Sequence, residues 1–306
     1  MGKEHLEKIN PSFVSHYESI DPTDEFFEFM DRPLKKSIRI NTLKVNLNSF
    51  APFLASKYKV ERIPFIPIGL YMYHDSPGNT VEHQLGYYFV QETASMIPPQ
   101  ILAPEPGELV LDMCAAPGGK TTQIAQYMDN TGCVIANDAR KSRANILCSN
   151  LQRMGVINTV VTVKDGRFFK RFKDTFDKVL LDAPCSNAGL VRKNYKYLRD
   201  WSLKYVRKLS NLQKELIMAA YEALKPGGIL VYSTCTLEPD ENEGVVDHLL
   251  QNTMAEIEPI RINVRSHTPF TEFEGKIYTS EVEKCLRLHP QDNDTEGFFI
   301  ARIRKE

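Results

Sequence analysis

The chain has 306 residues, of which 42% are apolar and 25% charged, the composition of a globular protein with room for one large domain and a smaller one. Thirty-eight Lys and Arg against 39 Asp and Glu leave a formal net charge of −1, so a polyanionic partner has to be held by local patches. Cys114, Cys133, Cys148, Cys185, Cys235 and Cys285 form no C-x-x-C pair, and the seven histidines have no ligand spacing. These spacings argue against a zinc knuckle, a disulfide framework and a structural metal, and for a reducing compartment.

The polar opening MGKEHLEKIN is no secretory signal, and Leu6 stands where myristoylation needs Ser or Thr. No apolar run reaches the length of a membrane span, so a soluble, cytoplasmic protein is expected. Residues 1–90 read as a small α+β module. A helical run, NPSFVSHYESIDPTDEFFEFMD, leads into PLKKSIRINTLKVN, where Ile38, Ile40, Leu43 and Val45 predict a strand broken by a turn. Short strands follow at YKVERIPFI and LYMYH, punctuated by Pro64, Pro67, Pro77 and Gly78. From about residue 85, GYYFVQETASMIPPQIL predicts a helix that runs into a proline-rich hinge, APEPGE.

Residues 91–306 form the second expected domain. Its strands are LVLDM, GCVIANDA, NTVVTVKDG, KVLLDAP, GILVYSTC, CLRLHP and GFFIARI. Its helices are KTTQIAQYM, SRANILCSNLQRMG, YVRKLSNLQKELIMAAYEALK and ENEGVVDHLLQN. This alternation predicts an α/β, Rossmann-like fold, a mostly parallel sheet wrapped on both faces. Lys-Pro-Gly-Gly at 225–228 is expected to stop one helix and launch the next strand.

The first strand–helix turn of that domain, DMCAAPGGKTT, resembles a phosphate-binding loop but fails the pattern G-x-x-x-x-G-K-[ST], because Cys114 occupies the first glycine position. The dinucleotide fingerprint G-x-G-x-x-G is absent as well. Small residues Ala115, Ala116, Gly118 and Gly119 allow a ligand close to the backbone. Asp112, Asp138, Asp165 and Asp182 stand at the ends of four successive strands, where open α/β sheets bind ligands. Four carboxylates suit a nucleoside with free hydroxyls, an amine and a nearby positive charge, which S-adenosylmethionine supplies. The competing reading, a solvated helix cap, accounts for any one of them more readily than for all four together.

Cys185, in LLDAPCSNAGLVRKN, and Cys235, in YSTCTLEPDENEG, follow the fourth and fifth strands. If those strands are neighbours, their ends lie about 5 Å apart. Both thiols would then meet above the methyl donor, with Asp182 between them and their pKa lowered by nearby helix N-termini and glycine-rich turns. Cys133, Cys148 and Cys285 read as small buried hydrophobes, and Cys114 sits in the ligand loop. Two thiols and a carboxylic acid answer one chemical difficulty: C5 of a pyrimidine is a poor nucleophile until a thiolate adds to C6 and a proton donor stabilises the charge at N3.

The segments LDMCAAPGGKTTQIA, DAPCSNAGLVRKN, STCTLEPDENEGVV and RLHPQDNDTEGFF resemble the motifs of the Nop2/Sun RNA cytosine-C5 methyltransferases, with PLKKSIRINTLK and YFVQETASM matching the N-terminal module and entry helix. The resemblance covers residues 30 to 303, and the compact plan is most similar to the archaeal tRNA-modifying members. It implies a seven-stranded sheet with an antiparallel last strand, a small N-terminal RNA-binding module and S-adenosylmethionine as cofactor. It also implies that Cys235 is the nucleophile, that Cys185 assists release and that Asp182 contacts cytosine, with Lys120 reaching towards the reacting centre. Cys114, Ala115, Ala116, Pro117, Gly118, Gly119, Lys120, Asp138, Arg143, Asp165 and Asp182 would line the cofactor pocket. The motifs leave tRNA and ribosomal RNA both open as substrates. The two cysteines argue against a non-catalytic RNA assembly factor, and a proton donor at N3 argues against uridine.

RNA would be held by VRKNYKYLRDWSLKYVRK at 191–208, whose seven cations include Arg192 and Lys193 and whose Tyr195, Tyr197 and Trp201 offer faces for bases. The competing reading is a solvated helix with Trp201 and Tyr205 packed inward. RPLKKSIR at 32–39 is a second, weaker patch.

Overall fold

A computed structural model describes residues 2–306. The N-terminal run forms three short helices, α1 Gly2–Ile9, α2 Pro11–Tyr17 and α3 Asp24–Asp31. Asn10 and Thr23 cap the second and third by accepting from the N–H of Phe13 and Phe26, and Pro11 begins α2 because its missing N–H costs nothing there. Leu6, Phe13, Tyr17, Phe26 and Met30 share one core with Leu198, Trp201 and Leu237. Residues 2–31 therefore pack on the large domain, and the expected N-terminal module comes in two parts.

The second part is an antiparallel sheet of β1 Ser37–Ile40, β2 Lys59–Arg62, β3 Gly69–Tyr73 and β4 Tyr88–Val90, ordered β2-β3-β1-β4. Helix α4 Leu47–Lys57 packs on it through Phe50 and Leu54, against Ile38, Ile40, Leu70, Met72 and Tyr88. Two expectations fail here. Leu43 and Val45 lie in a turn, because the Asn41 side chain accepts from Leu43 N–H and its carbonyl from Val45 N–H. The segment after residue 85 is not one helix, since Tyr88 and Val90 pair with Ile40 and Ile38 as a strand. Its aromatic and β-branched residues favour that choice. A one-turn helix, α5 Val81–Gln84, precedes it, and α6 Ile97–Leu102 follows with Pro98 and Pro99 in its first turn.

The large sheet contains β5 Leu109–Asp112, β6 Cys133–Asn137, β7 Thr159–Thr162, β8 Phe176–Asp182, β9 Leu224–Thr234, β10 Ala255–Glu258, β13 Leu286–Leu288 and β14 Phe298–Lys305. A separate hairpin pairs β11 Glu272–Phe273 with β12 Lys276–Ile277. The order is β10-β14-β9-β8-β5-β6-β7, with β13 beside β14. Strands β5 to β9 are mutually parallel, and β14 runs antiparallel to β9, β10 and β13. The covering helices are α7 Gly119–Tyr127, α8 Lys141–Met154, α9 Lys196–Asp200, α10 Leu203–Ala223, α11 Glu243–Asn252 and α12 Pro290–Asn293. The chain builds outward from β5 to β7 and then returns to β8 on the other side of β5. The carboxyl ends of β5 and β8 are thus the switch point where a doubly wound sheet opens a crevice.

Lys-Pro-Gly-Gly does not stop the preceding helix. Helix α10 ends at Ala223, Leu224 is already extended, and residues 225–228 form an irregularity in the β8–β9 ladder with Gly227 at φ +76°. Among the described residues no helix is long and apolar enough to cross a membrane. The fold brings Asp21, His267 and His289 within 4.8 Å of one another. His289 Nδ1 bonds Asp21 at 2.7 Å and the two imidazoles stack at 3.8 Å, a link tying the α2–α3 connection to α12.

Candidate active site

The turn from β5 to α7 is pinned by its own backbone. Met113 N–H donates to Leu180 O, Ala115 N–H to Asn137 O and Gly118 N–H to Ala115 O. Gly118 sits at φ +106°, for which the turn needs glycine, and a Cβ there would also lie 2.9 Å from Leu147 Cδ1, which would have to shift. Arg143 donates to Ala116 O at 2.6 Å, and Arg39 of β1 reaches across to Gly119 O and Thr122 Oγ1. The small sheet is thereby tied directly to the loop. Arg39 is fully buried, and that burial pushes its pKa down to about 9.

Over this turn lies a cavity of about 360 Å³, lined by Cys114–Pro117, Gly119, Lys120, Arg143, Asp182 and Cys235 and, from the other motif segments though not as residues named from sequence, by Gln91, Glu92, Asn187, Glu296 and Phe298. Asp112 is on its floor, accepting from Thr121 Oγ1 at 2.7 Å while Oδ1 has no partner; burial raises its pKa to about 7. An unpaired acceptor, small loop residues and a cavity of this volume fit a nucleoside carrying amine and hydroxyl donors. S-adenosylmethionine meets these demands.

Three of the expected pocket residues are placed otherwise. Asp165 caps the turn after β7 and pairs with Arg167, its side chain half exposed, so it does not line the cavity. Asp138 is buried and is not among the cavity-lining residues, accepting from Arg140 N–H and lying 3.4 Å from Arg143, which does line it. Gly118 shapes the turn without facing the cavity.

The two thiols do converge. Strands β8 and β9 are neighbours, and Cys185 Sγ lies 3.1 Å from Cys235 Sγ, in direct contact and without Asp182 between them. Asn187 Oδ1 is 3.3 Å from Cys235 Sγ. Glu241 fixes the Cys185 loop by accepting from Ser186 N–H at 3.0 Å and from Gln213 at 2.7 Å. The expected activation by helix ends is not what this environment produces. The hydrogen bond to Cys185, together with burial, pushes the Cys235 pKa well up. Cys114 is pushed up by burial too.

Asp182 accepts from Lys120 Nζ at 2.7 Å and from Ser233 Oγ at 2.9 Å. Burial pulls the Lys120 pKa down, but the Asp182 charge and hydrogen bond outweigh it and leave it raised. A cationic lysine and a carboxylate therefore act as one unit beside the thiols.

The basic segment divides. Arg192 is buried, bonded to Thr295 O and Asp294, and is unavailable to phosphate. Trp201 is buried with Nε1 donating to Glu238 at 2.8 Å, and Tyr195 bonds Asp31. Lys193 and Tyr197 do line the cavity, and Tyr205 is exposed rather than packed inward.

Comparison with known proteins agrees with this geometry. The family model described as 16S rRNA methyltransferase RsmB/F matches residues 99–304, and that of the N-terminal domain of 16S rRNA methyltransferase RsmF matches residues 9–93. A tRNA (cytosine(49)-C(5))-methyltransferase of Pyrococcus abyssi is 53% identical over 99% of this chain and 98% of its own length. A ribosomal RNA small subunit methyltransferase F of Shewanella denitrificans is 42% identical over 97% of this chain, which spans only 61% of that protein. A crystal structure of a methyltransferase homolog from Pyrococcus horikoshii superposes with a TM-score of 0.87 at 35% identity, covering 99% of this chain and 98% of that one. The chain belongs to the RsmB/F family of RNA methyltransferases.

Proposed function

We propose that the protein methylates C5 of a cytosine in tRNA, with Cys235 as nucleophile and S-adenosylmethionine as methyl donor. The observation that carries the reading is the pair of thiols 3.1 Å apart, beside the Lys120–Asp182 pair, at the mouth of a nucleoside-sized cavity. Bound S-adenosylmethionine supplies an electrophilic methyl group, and the chain's own residues have to make C5 nucleophilic towards it. Cys235 Sγ adds to C6, and the displaced electron pair is stabilised at N3 by a proton carried by the Lys120–Asp182 pair. After transfer, Cys185 as the thiolate takes the C5 proton, the C5–H electron pair becomes the C5=C6 double bond, and the C6–S pair leaves with Cys235 as its thiolate.

The tRNA assignment is supported by the Pyrococcus abyssi relative, whose whole length this chain matches. The RsmF relatives favour ribosomal RNA as the second reading. Free thiols fit the reducing cytoplasm as the place of action. The test is incubation with labelled S-adenosylmethionine and separate pools of tRNA and ribosomal RNA, followed by mapping of the modified nucleotide. Expected are 5-methylcytosine in tRNA, no product with Cys235→Ala and a trapped covalent RNA adduct with Cys185→Ala. Label on uridine, or full activity in Cys235→Ala, overturns the mechanism.

A further inference from the structure

The loop after β8 carries Asn187, which lines the cavity beside the two thiols. Its Oδ1 lies 3.3 Å from Cys235 Sγ and 3.8 Å from Cys185 Sγ. The other end of the amide fixes its orientation: Nδ2 donates to Cys185 O at 3.0 Å, so the atom turned to the sulfurs is the carbonyl oxygen. An amide oxygen only accepts, so it favours a thiol and opposes a thiolate.

The backbone leaves this side chain little freedom. Asn187 sits at φ +60°, a left-handed conformation that Asn tolerates, and its carbonyl accepts from Leu190 N–H at 2.9 Å. Two residues on, Gly189 N–H donates to Cys235 O at 3.0 Å, and a Cβ there would lie 2.1 Å from Gly297 O. The loop that carries Asn187 is thus fastened to the strand end that carries the nucleophile.

With the sulfurs 3.1 Å apart, one S–H lies between them and the other points outward. If Cys185 donates inward, the outer proton is that of Cys235; if Cys235 does, it is that of Cys185. In both cases Asn187 Oδ1 is the acceptor in reach, and among the described residues neither sulfur has another hydrogen-bond partner. Lys120 of α7, Asp182 of β8, Lys193, Tyr197 of α9 and Glu296 before β14 also face this part of the cavity. The lysine nearest the thiols, Lys120, is already paired with Asp182.

We infer that Asn187 is a positioning residue for the thiol pair: its amide oxygen takes the outer S–H and holds both resting sulfurs protonated and in contact. The catalytic consequence rests on the cytosine-C5 reading above, because Cys235 has to become a thiolate before it adds to C6. Asn187 then helps set the pH at which that thiolate is available, in the same direction as the Cys185 hydrogen bond and burial.

The test is the rate of alkylation of the full-length protein by iodoacetamide from pH 7 to 9.5, mapped to Cys235 and Cys185 by peptide mass. Asn187→Gly suits the positive φ and removes the acceptor, and should react about fivefold faster at pH 8, the scale of one lost hydrogen bond. Asn187→Asp has the same volume, keeps an acceptor there and adds negative charge, and should react about fivefold slower. Glycine also widens the approach to the sulfurs, so the opposite sign in the isosteric variant is what neither access nor a structural role would give. The rising limb of kcat/KM against pH with tRNA should move to lower pH in Asn187→Gly and to higher pH in Asn187→Asp. No slowing in Asn187→Asp, or no gain in a folded Asn187→Gly, overturns the inference; if the glycine variant does not fold by circular dichroism, the aspartate variant decides alone. A changed KM with unmoved alkylation rates also overturns it and makes Asn187 a substrate contact. Absence of methylation by wild type removes the cytosine reading, while the alkylation rates still decide where the outer proton is held.

Discussion

Replacing Asp182 by Asn removes the counter-charge of a lysine whose side chain is only 12% exposed. At 2.7 Å and an effective dielectric constant of about 20, the pair attraction is about 6 kcal/mol. Solvent at Asp182, whose side chain is 30% exposed, reduces that figure. Two further effects cap the loss: the Asn oxygen still accepts from Lys120 and Ser233, and the lysine can shed its proton at pH 7 for at most about 5 kcal/mol. The expected net destabilisation is about 2–3 kcal/mol, at the low end for breaking a buried pair. The sign of its pH dependence follows from Lys120. In wild type the folded pKa is raised, so the pair's contribution is fully present below 10.5 and is lost only above it. In Asp182→Asn the lysine pKa falls, and the variant gains stability as pH rises from that lowered value towards 10.5. Urea unfolding at pH 7 and pH 9.5 should therefore show a gap that narrows at the higher pH, and Lys120→Met/Asp182→Asn should be more stable than Asp182→Asn by about 1–2 kcal/mol. A gap under about 0.5 kcal/mol at pH 7, or a double variant no more stable than the single, refutes the buried-pair account.

Arg39→Met removes the link from the small sheet to the cofactor turn; S-adenosylmethionine affinity by calorimetry should drop about tenfold, and unchanged affinity counts against the link. Gly118→Ala meets both the positive φ and Leu147 and should cost about 1–3 kcal/mol in thermal unfolding while weakening cofactor binding. Burial holds the His289 pKa at about 4, so the folded state binds fewer protons than the unfolded one between pH 6.5 and 4. Stability should fall by about 3 kcal/mol as pH drops through that window. His289→Asn, whose amide can still donate to Asp21, should flatten that slope in urea titrations at pH 7 and pH 5; an undiminished slope assigns it to other groups.

Periodic and local information sufficed for the alternation of strands and helices from Leu109 onward and for the turn at Gly118-Gly119, since pattern and glycine act within a few residues. The paired thiols were legible too, because two motifs each followed a strand and the strands proved adjacent. What the local pattern misread was decided by pairing partners: Tyr88–Val90 became a strand only because β1 was there to receive it. Arg192 and Trp201 looked like RNA contacts until Asp294 and Glu238, both distant in sequence, claimed them. The Cys235 environment likewise belongs to no single segment. Residue types and spacing determined the chemistry this chain can perform; tertiary packing decided which charged and aromatic groups are spent on holding the fold and which are left facing the substrate, because burial and long-range partners are not properties of any one stretch of sequence.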